Sequence, residues 1–176
     1  VTQNAGSIFV NTGPAIFEIS QTDFKLFTNV WIDKDRDNVV EQNSDDLIAT
    51  ADPNNGLIAS FIPDPANAPT QTTMYTSQIR AGDRVFIEPD SGPLHTTVTA
   101  EFKVYDAAGA PLNWLKGKLR FHFSSGHPDA KVEVILVNEG NYGTGSLGPE
   151  QHLYFRDVKV DQKLVIQPTT IFFEPN

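Results

Sequence analysis

The stretch Thr97-Val98-Thr99-Ala100-Glu101-Phe102-Lys103-Val104-Tyr105 carries the longest alternation of apolar and polar residues in the chain. Side chains alternate between the two faces of an extended strand, so its even-numbered apolar residues share one face. The odd-numbered, mostly polar residues share the other face. The stretch therefore predicts a strand with one face in a core and the other toward solvent.

Similar segments surround this stretch, and turn signals separate them. Asp106-Ala107-Ala108-Gly109 predicts a hairpin turn, Leu112–Leu115 the start of the partner strand, and residues 119–123 alternate again. No window of twelve or more residues shows a helical period. The other predicted strands are 7–10, 15–19, 24–32, 47–49, 56–62, 73–76, 84–88, 132–137, 153–160, 164–166 and 170–173.

Many short strands without intervening helices indicate an all-β fold, an antiparallel β-sandwich or jelly roll. With 176 residues, the chain is expected to form a single domain, 1–176. A proline-rich stretch at 63–70 is expected to be an ordered loop of that domain, because strands of the same style lie on both sides. The expected core comprises Phe102, Val104, Phe121, Phe123, Val134 and Leu136.

Charge and composition restrict the classes of function. The formal net charge of −9 argues against nucleic acid or an anionic membrane as the partner and suits cations or neutral sugars. The absence of cysteine excludes a disulfide framework and thiolate chemistry. No apolar run is long enough to span a bilayer, and residues 1–7 lack the features of a signal peptide. We expect an excised or mature domain of a larger multidomain chain, at an extracellular or cell-surface location.

The acidic run 33–46, Asp-Lys-Asp-Arg-Asp-Asn-Val-Val-Glu-Gln-Asn-Ser-Asp-Asp, predicts a Ca²⁺ site. Ca²⁺ takes six to eight oxygen ligands, and carboxylates at alternate loop positions supply several of them in one turn. Asn38 stands where the chain must turn sharply and is suited to a left-handed conformation. The expected ligands are Asp33, Asp35, Asp37, the Val39 carbonyl and Glu41, completed by Asp45 or Asp46. The alternative is an acidic loop that only keeps the surface hydrated.

The residues before the loop are aromatic and β-branched, which predicts a strand and not the entering helix of an EF-hand. Val30-Trp31-Ile32 followed by Asp33-Lys34-Asp35-Arg36-Asp37 resembles the strand-plus-calcium-loop opening of repeated β-sandwich domains in bacterial surface proteins.

Several other patterns do not indicate chemistry. Gly143–Gly148 matches G-x-G-x-x-G but is followed by Pro149 and a strand, whereas a dinucleotide site needs a helix there. The four histidines, at 95, 122, 127 and 152, lack metal-site spacing and are expected to be surface or turn residues. No serine nucleophile elbow is present. A glycosidase needs two facing carboxylates, and Glu88, Asp90 and Glu101 are the candidates.

The region 132–160 brings carboxylates near a glycine-rich loop. Glu139 and Glu150 stand at its two ends, Tyr142 lies within it, and Asp157 lies on the following strand. Such a group suits a cation that ligates vicinal sugar hydroxyls, and Tyr142 offers a stacking face. The alternative is a plain hairpin with a long loop.

This region resembles calcium-dependent carbohydrate-binding modules of the small jelly-roll, xylan-binding type. Their last hairpin runs V-x-V-x-F-x-N-D, a glycine-rich loop, then D-R-N-L-Y-V-D-x-V-x-V. In this chain Glu139 and Glu150 replace Asp, and Arg156 occupies an acidic position with Asp157 one residue later. The matching positions are Val132, Val134, Asn138-Glu139, Glu150, Leu153-Tyr154, Val158 and Val160.

The resemblance implies a non-catalytic, calcium-dependent carbohydrate-binding domain that recognises a polysaccharide or other glycan. The first alternative is a calcium-stabilised structural or adhesion domain of a bacterial surface protein or virion. The second is a carbohydrate-active enzyme. Exposed aromatic residues favour the glycan reading, and the candidates are Trp114, Tyr142 and Tyr154.

Overall fold

A computed structural model of the chain describes residues 1–23, 25–51, 56–61, 73–80, 82–139 and 155–165, without the side chains of Phe61, Trp114 and Phe155. All regular secondary structure in these ranges is β. The strands are β1 (Thr2–Gln3), β2 (Ser7–Asn11), β3 (Ala15–Ser20), β4 (Asn29–Ile32), β5 (Leu47–Thr50), β6 (Gly56–Phe61), β7 (Thr73–Gln78), β8 (Arg84–Ile87), β9 (His95–Tyr105), β10 (Pro111–Ser124), β11 (Ala130–Asn138), β12 (Phe155–Asp161) and β13 (Lys163–Leu164).

The strands form two antiparallel sheets. The six-stranded sheet has the order β1-β2-β3-β4-β5-β13, and the seven-stranded sheet has the order β11-β10-β9-β7-β6-β12, with β8 also paired to β9. The predicted all-β antiparallel sandwich is confirmed. Among the described residues, no helix is long and apolar enough to cross a membrane.

Phenylalanine rings join the two sheets. Phe17 on β3 contacts Phe123 on β10 with ring centroids 4.9 Å apart, and Phe27 contacts Phe121 at 5.2 Å. The ring pairs are tilted, an arrangement that adds favourable electrostatics to the burial of large apolar surfaces. Buried residues of both sheets belong to one core cluster around these rings.

Four of the six predicted core residues are confirmed as buried: Phe102, Val104, Phe121 and Phe123. Leu136 is partly buried against the core. The prediction for Val134 is wrong, because its side chain is 43% exposed. Val134 pairs with buried Leu119 and faces the same way, but β11 is the last strand of its sheet. Its inner face therefore receives less cover than that of β10.

In the stretch 97–105 of β9, the residues that the alternation assigns to the core face are buried as predicted. Val98, Ala100, Phe102 and Val104 are all buried. The opposite face is less hydrated than predicted, because Thr97 and Thr99 are also buried. The Thr99 hydroxyl donates a 2.7 Å hydrogen bond to Glu88, so a polar contact covers this part of the outer face.

The predicted strand 24–32 is too long, because β4 begins only at Asn29. Leu26 has a φ of 65°, in the left-handed region, which interrupts the extended backbone. Leu26 and its neighbour Phe27 are both buried. Successive side chains of a regular strand point to opposite faces, so this irregular turn lets two consecutive residues reach one core.

Other predicted elements are shifted, or lie outside the described residues. Predicted strands 153–160 and 164–166 appear as Phe155–Asp161 and Lys163–Leu164. The two segments predicted between 112 and 123 form one continuous 14-residue strand, Pro111–Ser124. The proline-rich stretch 63–70, the glycine-rich loop 143–148 and the predicted strand 170–173 fall outside the described ranges.

Gly117 provides a test of the packing, since a Cβ atom added there would overlap the Phe102 ring. We expect Gly117→Ala to lower the free energy of unfolding by about 1–3 kcal/mol through overpacking. Chemical denaturation measures this change. Gly92→Ala is the matched control, because no atom lies within 4 Å of a Cβ added there. Equal stability of the two variants would contradict the packing described here.

Candidate functional site

The acidic loop joins β4 to β5 and is anchored at both ends. The Ile32 N–H donates to the Asp46 carbonyl at 3.0 Å, and the Asp33 N–H donates to the Pro14 carbonyl at 3.3 Å. Asn38 has a φ of 70°, which confirms the predicted left-handed conformation. Arg36 has a φ of 65° and adds a second left-handed position that the sequence did not indicate.

The loop brings three of the predicted metal ligands together. One carboxylate oxygen from each of Asp33, Asp35 and Asp37 lies within 4.8 Å of the other two. Among the described residues, no other group of three His, Asp or Glu side chains has this spacing. Oxygen atoms so arranged suit a hard cation such as Ca²⁺, which binds oxygens at about 2.3–2.6 Å.

Backbone amides of the loop hold these carboxylates in place. Asp33 accepts hydrogen bonds from the N–H groups of Arg36 at 2.6 Å and Asn38 at 2.9 Å. Asp37 accepts one from Val39 at 2.8 Å, and Asp35 accepts one from Asp37 at 3.3 Å. Each carboxylate oxygen has two lone pairs, so these bonds leave acceptor capacity for an ion.

The clustered charges affect the protonation of Asp35. The hydrogen bond from the Asp37 N–H is the largest influence and lowers the pKa of Asp35. Loss of hydration, the hydrogen bond with the Asp33 carboxyl, and repulsion from Asp37 and Asp33 together outweigh it, so the pKa is raised above its ordinary value. The three carboxylates therefore repel one another, and a bound cation would relieve this repulsion.

Asp46 closes the loop from its other end. Its side chain is buried and accepts hydrogen bonds from the Glu41 N–H at 2.8 Å and the Lys34 N–H at 3.3 Å. The bond from the Glu41 N–H is the main reason that the pKa of Asp46 is lowered. A side-chain hydrogen bond with Asp46 is the main reason that the pKa of Glu41 is raised. Asp46 and Glu41 thus form a hydrogen-bonded pair of carboxyl groups.

The remaining predicted metal ligands lie beside this group. Asp45 is exposed and accepts a 3.4 Å hydrogen bond from the Ser44 hydroxyl. Val39 contributes its N–H to Asp37, and ligation by its carbonyl stays a prediction. The sequence pattern predicted the grouping of Asp33, Asp35 and Asp37, and metal ligation by them stays a prediction. The pattern gave no sign that Asp46 would accept hydrogen bonds from backbone amides.

The second predicted group is not assembled by strand pairing. Tyr142 and Glu150, with the platform candidate Tyr154, lie outside the described residues. Glu139 follows β11 and Asp157 lies on β12, and these strands occupy opposite ends of the seven-stranded sheet. β11 pairs with β10 and β12 pairs with β6, so the described residues do not form the hairpin that the resemblance implies. The Asp157 carboxylate accepts a 2.8 Å hydrogen bond from Ser60.

Glu139 instead belongs to a cleft on the outer face of the seven-stranded sheet. The cleft has a volume of about 530 Å³, and Glu139 forms a 2.7 Å ion pair with Lys116 there. We call it the lysine cleft. Its charged lining residues are Asp83, Glu101, Lys103, Lys116, Lys118 and Glu139. Alternation alone predicts which residues of β9 and β10 lie on the outer face of the sheet. It does not predict which residues of the two strands lie opposite each other.

The four histidines were predicted to be surface or turn residues, and three of them are described. His122 lies on the outer face of β10, where its Nδ1 is 3.2 Å from the Thr97 hydroxyl and its Nε2 is 3.2 Å from Glu133. His95 stacks on it with ring centroids 5.7 Å apart. His127 is exposed beside Asp129. The Nδ1 of His122 is thus within hydrogen-bonding distance of Thr97, whereas its Nε2 is buried near Glu133 without a hydrogen-bond partner among the described residues.

No family model matches the chain, and a search of curated proteins finds no significant match.

The role of Asp46 can be separated from metal binding. We expect Asp46→Ala to lower the melting temperature in the presence of a chelator, because the N–H groups of Lys34 and Glu41 lose their acceptor. Thermal unfolding followed by circular dichroism measures the effect. Asp45→Ala, which removes an exposed carboxylate from the same loop, should leave the melting temperature nearly unchanged. If both variants melt like the parent, Asp46 does not hold the loop.

Proposed function

We propose that this chain is a non-catalytic glycan-recognition domain whose β-sandwich is stabilised by Ca²⁺ in the acidic loop. The observation that carries the metal assignment is the convergence of three aspartate carboxylates within 4.8 Å. A site of this kind, open to solvent and with few protein ligands, suits the weak affinities typical of extracellular Ca²⁺ modules. An extracellular or cell-surface location follows from the proposal, because Ca²⁺ is abundant there.

The lysine cleft supports glycan recognition. Its volume of about 530 Å³ falls within the range of ligand sites, and its lining combines donors and acceptors with the apolar side chains of Phe102 and Val137. Glu101 and Glu139 offer carboxylate acceptors, and the lysines offer ammonium donors. Sugars carry hydroxyl groups that both donate and accept hydrogen bonds, so a lining of mixed character matches them.

The protonation of Glu101 supports a non-catalytic role. A glycosidase needs one carboxyl group whose pKa is raised so that it can donate a proton near neutral pH. Hydrogen bonds from Arg84 and then Lys118 instead lower the pKa of Glu101. Glu139 is ion-paired with Lys116 in the same cleft. Glu101 is therefore suited to binding hydroxyl groups and not to general acid catalysis.

A structural or adhesion domain is the second candidate, and one observation favours it. No residue of the acidic loop lines the lysine cleft. Ca²⁺ in the loop would then act on the fold and not on a ligand in the cleft. Under this alternative, Ca²⁺ raises stability although no glycan binds.

Thermal unfolding tests the Ca²⁺ site. A ligand present at one hundred times its dissociation constant stabilises the folded state by about 2.7 kcal/mol, which corresponds to a rise in melting temperature of about 5–10 °C. We expect chelator to remove this rise and Asp35→Ala to abolish it. Asp23→Ala removes an exposed carboxylate outside the loop and should preserve the response. An unchanged Ca²⁺ response in Asp35→Ala would show that the loop is only hydrated.

Glycan binding is tested by screening the parent chain against a polysaccharide array, followed by calorimetric titration of any positive sugar. We expect weak, saturable binding that persists while the chain is folded and is lost at temperatures where removal of Ca²⁺ by chelator unfolds it. No signal for any polysaccharide, combined with a clear Ca²⁺ response in melting temperature, would favour the structural or adhesion domain.

A further inference from the structure

The register of β9 and β10 sets two lysines directly opposite each other in the lysine cleft. Lys103 pairs with Lys116 across the ladder, and residues so paired have their side chains on the same face. Lys118 follows on that face of β10. Like charges directly opposite each other destabilise a sheet. The arrangement therefore has an energetic cost unless the charges of both lysines are balanced.

The neighbouring cations of this face are neutralised by carboxylates. Lys116 forms a 2.7 Å ion pair with Glu139, and Lys118 forms a 2.9 Å pair with Glu101. Arg84 also pairs with Glu101, at 2.8 Å. Two of the face's carboxylates are thus committed to three cations.

Lys103 differs from these neighbours. Its Nζ contacts the Asn113 side-chain oxygen at 3.5 Å, a long and neutral contact. Within the described ranges, no carboxylate lies within 4.0 Å of this ammonium group. Among the described residues, Lys103 is therefore the cleft cation without a carboxylate partner, and its charge can attract an anionic group.

We propose that the lysine cleft binds an acidic sugar residue of a polysaccharide, with the carboxylate or sulfate group of that residue on Lys103. This inference rests on the proposed glycan recognition and specifies its ligand class. The anion neutralises Lys103 and reduces its repulsion with Lys116. Glu101 and Glu139 accept hydrogen bonds from the sugar hydroxyls.

The carboxylates of the cleft favour a sugar over a polyphosphate. Asp83, Glu101 and Glu139 line the same space as the lysines. A nucleic acid carries a charge on every phosphate and would be repelled by these groups and by a chain of net charge −9. An acidic sugar residue brings one anionic group for Lys103 together with several hydroxyl donors for the carboxylates, so both kinds of lining residue find partners.

Calorimetric titration of a galacturonate oligosaccharide against the parent chain, Lys103→Gln and Lys131→Gln tests the proposal. Lys131 is the matched control, because it is a cation on the same face of the sheet, and neither it nor its partner Glu133 lines the cleft. We expect Lys103→Gln to weaken binding about tenfold or more, since it removes a charge-assisted hydrogen bond. Lys131→Gln should change binding less than about twofold, and Lys103→Arg should retain it.

Two further ligands identify the anionic group. A galactose oligosaccharide of the same length lacks the carboxylates and should bind more weakly than the galacturonate. A sulfated galactose oligosaccharide separates sulfate from carboxylate recognition, and tighter binding than to galacturonate would assign sulfate as the preferred group. Equal affinity for the neutral and both acidic oligosaccharides, or equal effects of Lys103→Gln and Lys131→Gln, would overturn the proposal.

The melting temperature of Lys103→Gln provides an independent readout. A residue that only supports the fold should lower stability when replaced, whereas removal of one of two opposed lysines should leave stability equal or raise it. Loss of stability together with loss of binding would contradict a ligand role for Lys103. If a neutral glycan binds and Lys103→Gln has no effect, glycan recognition stands and the acidic-sugar inference fails. If no glycan binds, both fail.

Discussion

The contacts between Phe17 and Phe123, and between Phe27 and Phe121, hold the two sheets together, and the placement of the acidic loop depends on them. Phe27 reaches these contacts between the sheets because Leu26 adopts a left-handed backbone conformation. That turn delays the start of β4, which then runs for only four residues before the aspartates begin. Large aromatic rings contribute most of the area buried at such a contact. The core therefore determines where the loop leaves the sheet, and the loop's own hydrogen bonds determine its shape.

Hydrogen bonds hold the carboxylates of the acidic loop close together, whereas their negative charges repel one another. Backbone N–H groups hold Asp33 and Asp37 in place, and Asp46 joins the two ends of the loop. The same bonds keep three negative charges within 4.8 Å of one another. A divalent cation bound between the carboxylates would offset this repulsion. Preformed sites of this type are expected to bind with little ordering cost.

Local patterns in the sequence predicted features that depend on neighbouring residues alone. The alternation from Thr97 to Tyr105, the left-handed Asn38 and the grouping of alternate aspartates required only the strand and turn geometry of short segments. Features that depend on pairing between distant segments were missed. The sequence could not reveal that β11 and β12 lie at opposite ends of one sheet, or that Lys103 stands opposite Lys116. Strand register is a non-local property, and a shift of one residue reverses the facing side.

Direct location of an ion decides whether the acidic loop is a Ca²⁺ site. A crystal structure of the chain grown with Ca²⁺, with anomalous scattering measured to locate the ion, provides this test. We expect an anomalous peak bounded by carboxylate oxygens of Asp33, Asp35 and Asp37 at about 2.3–2.6 Å. A fully ordered loop without a peak at saturating Ca²⁺, with its carboxylates bonded only to its own backbone, would show that the loop does not bind Ca²⁺.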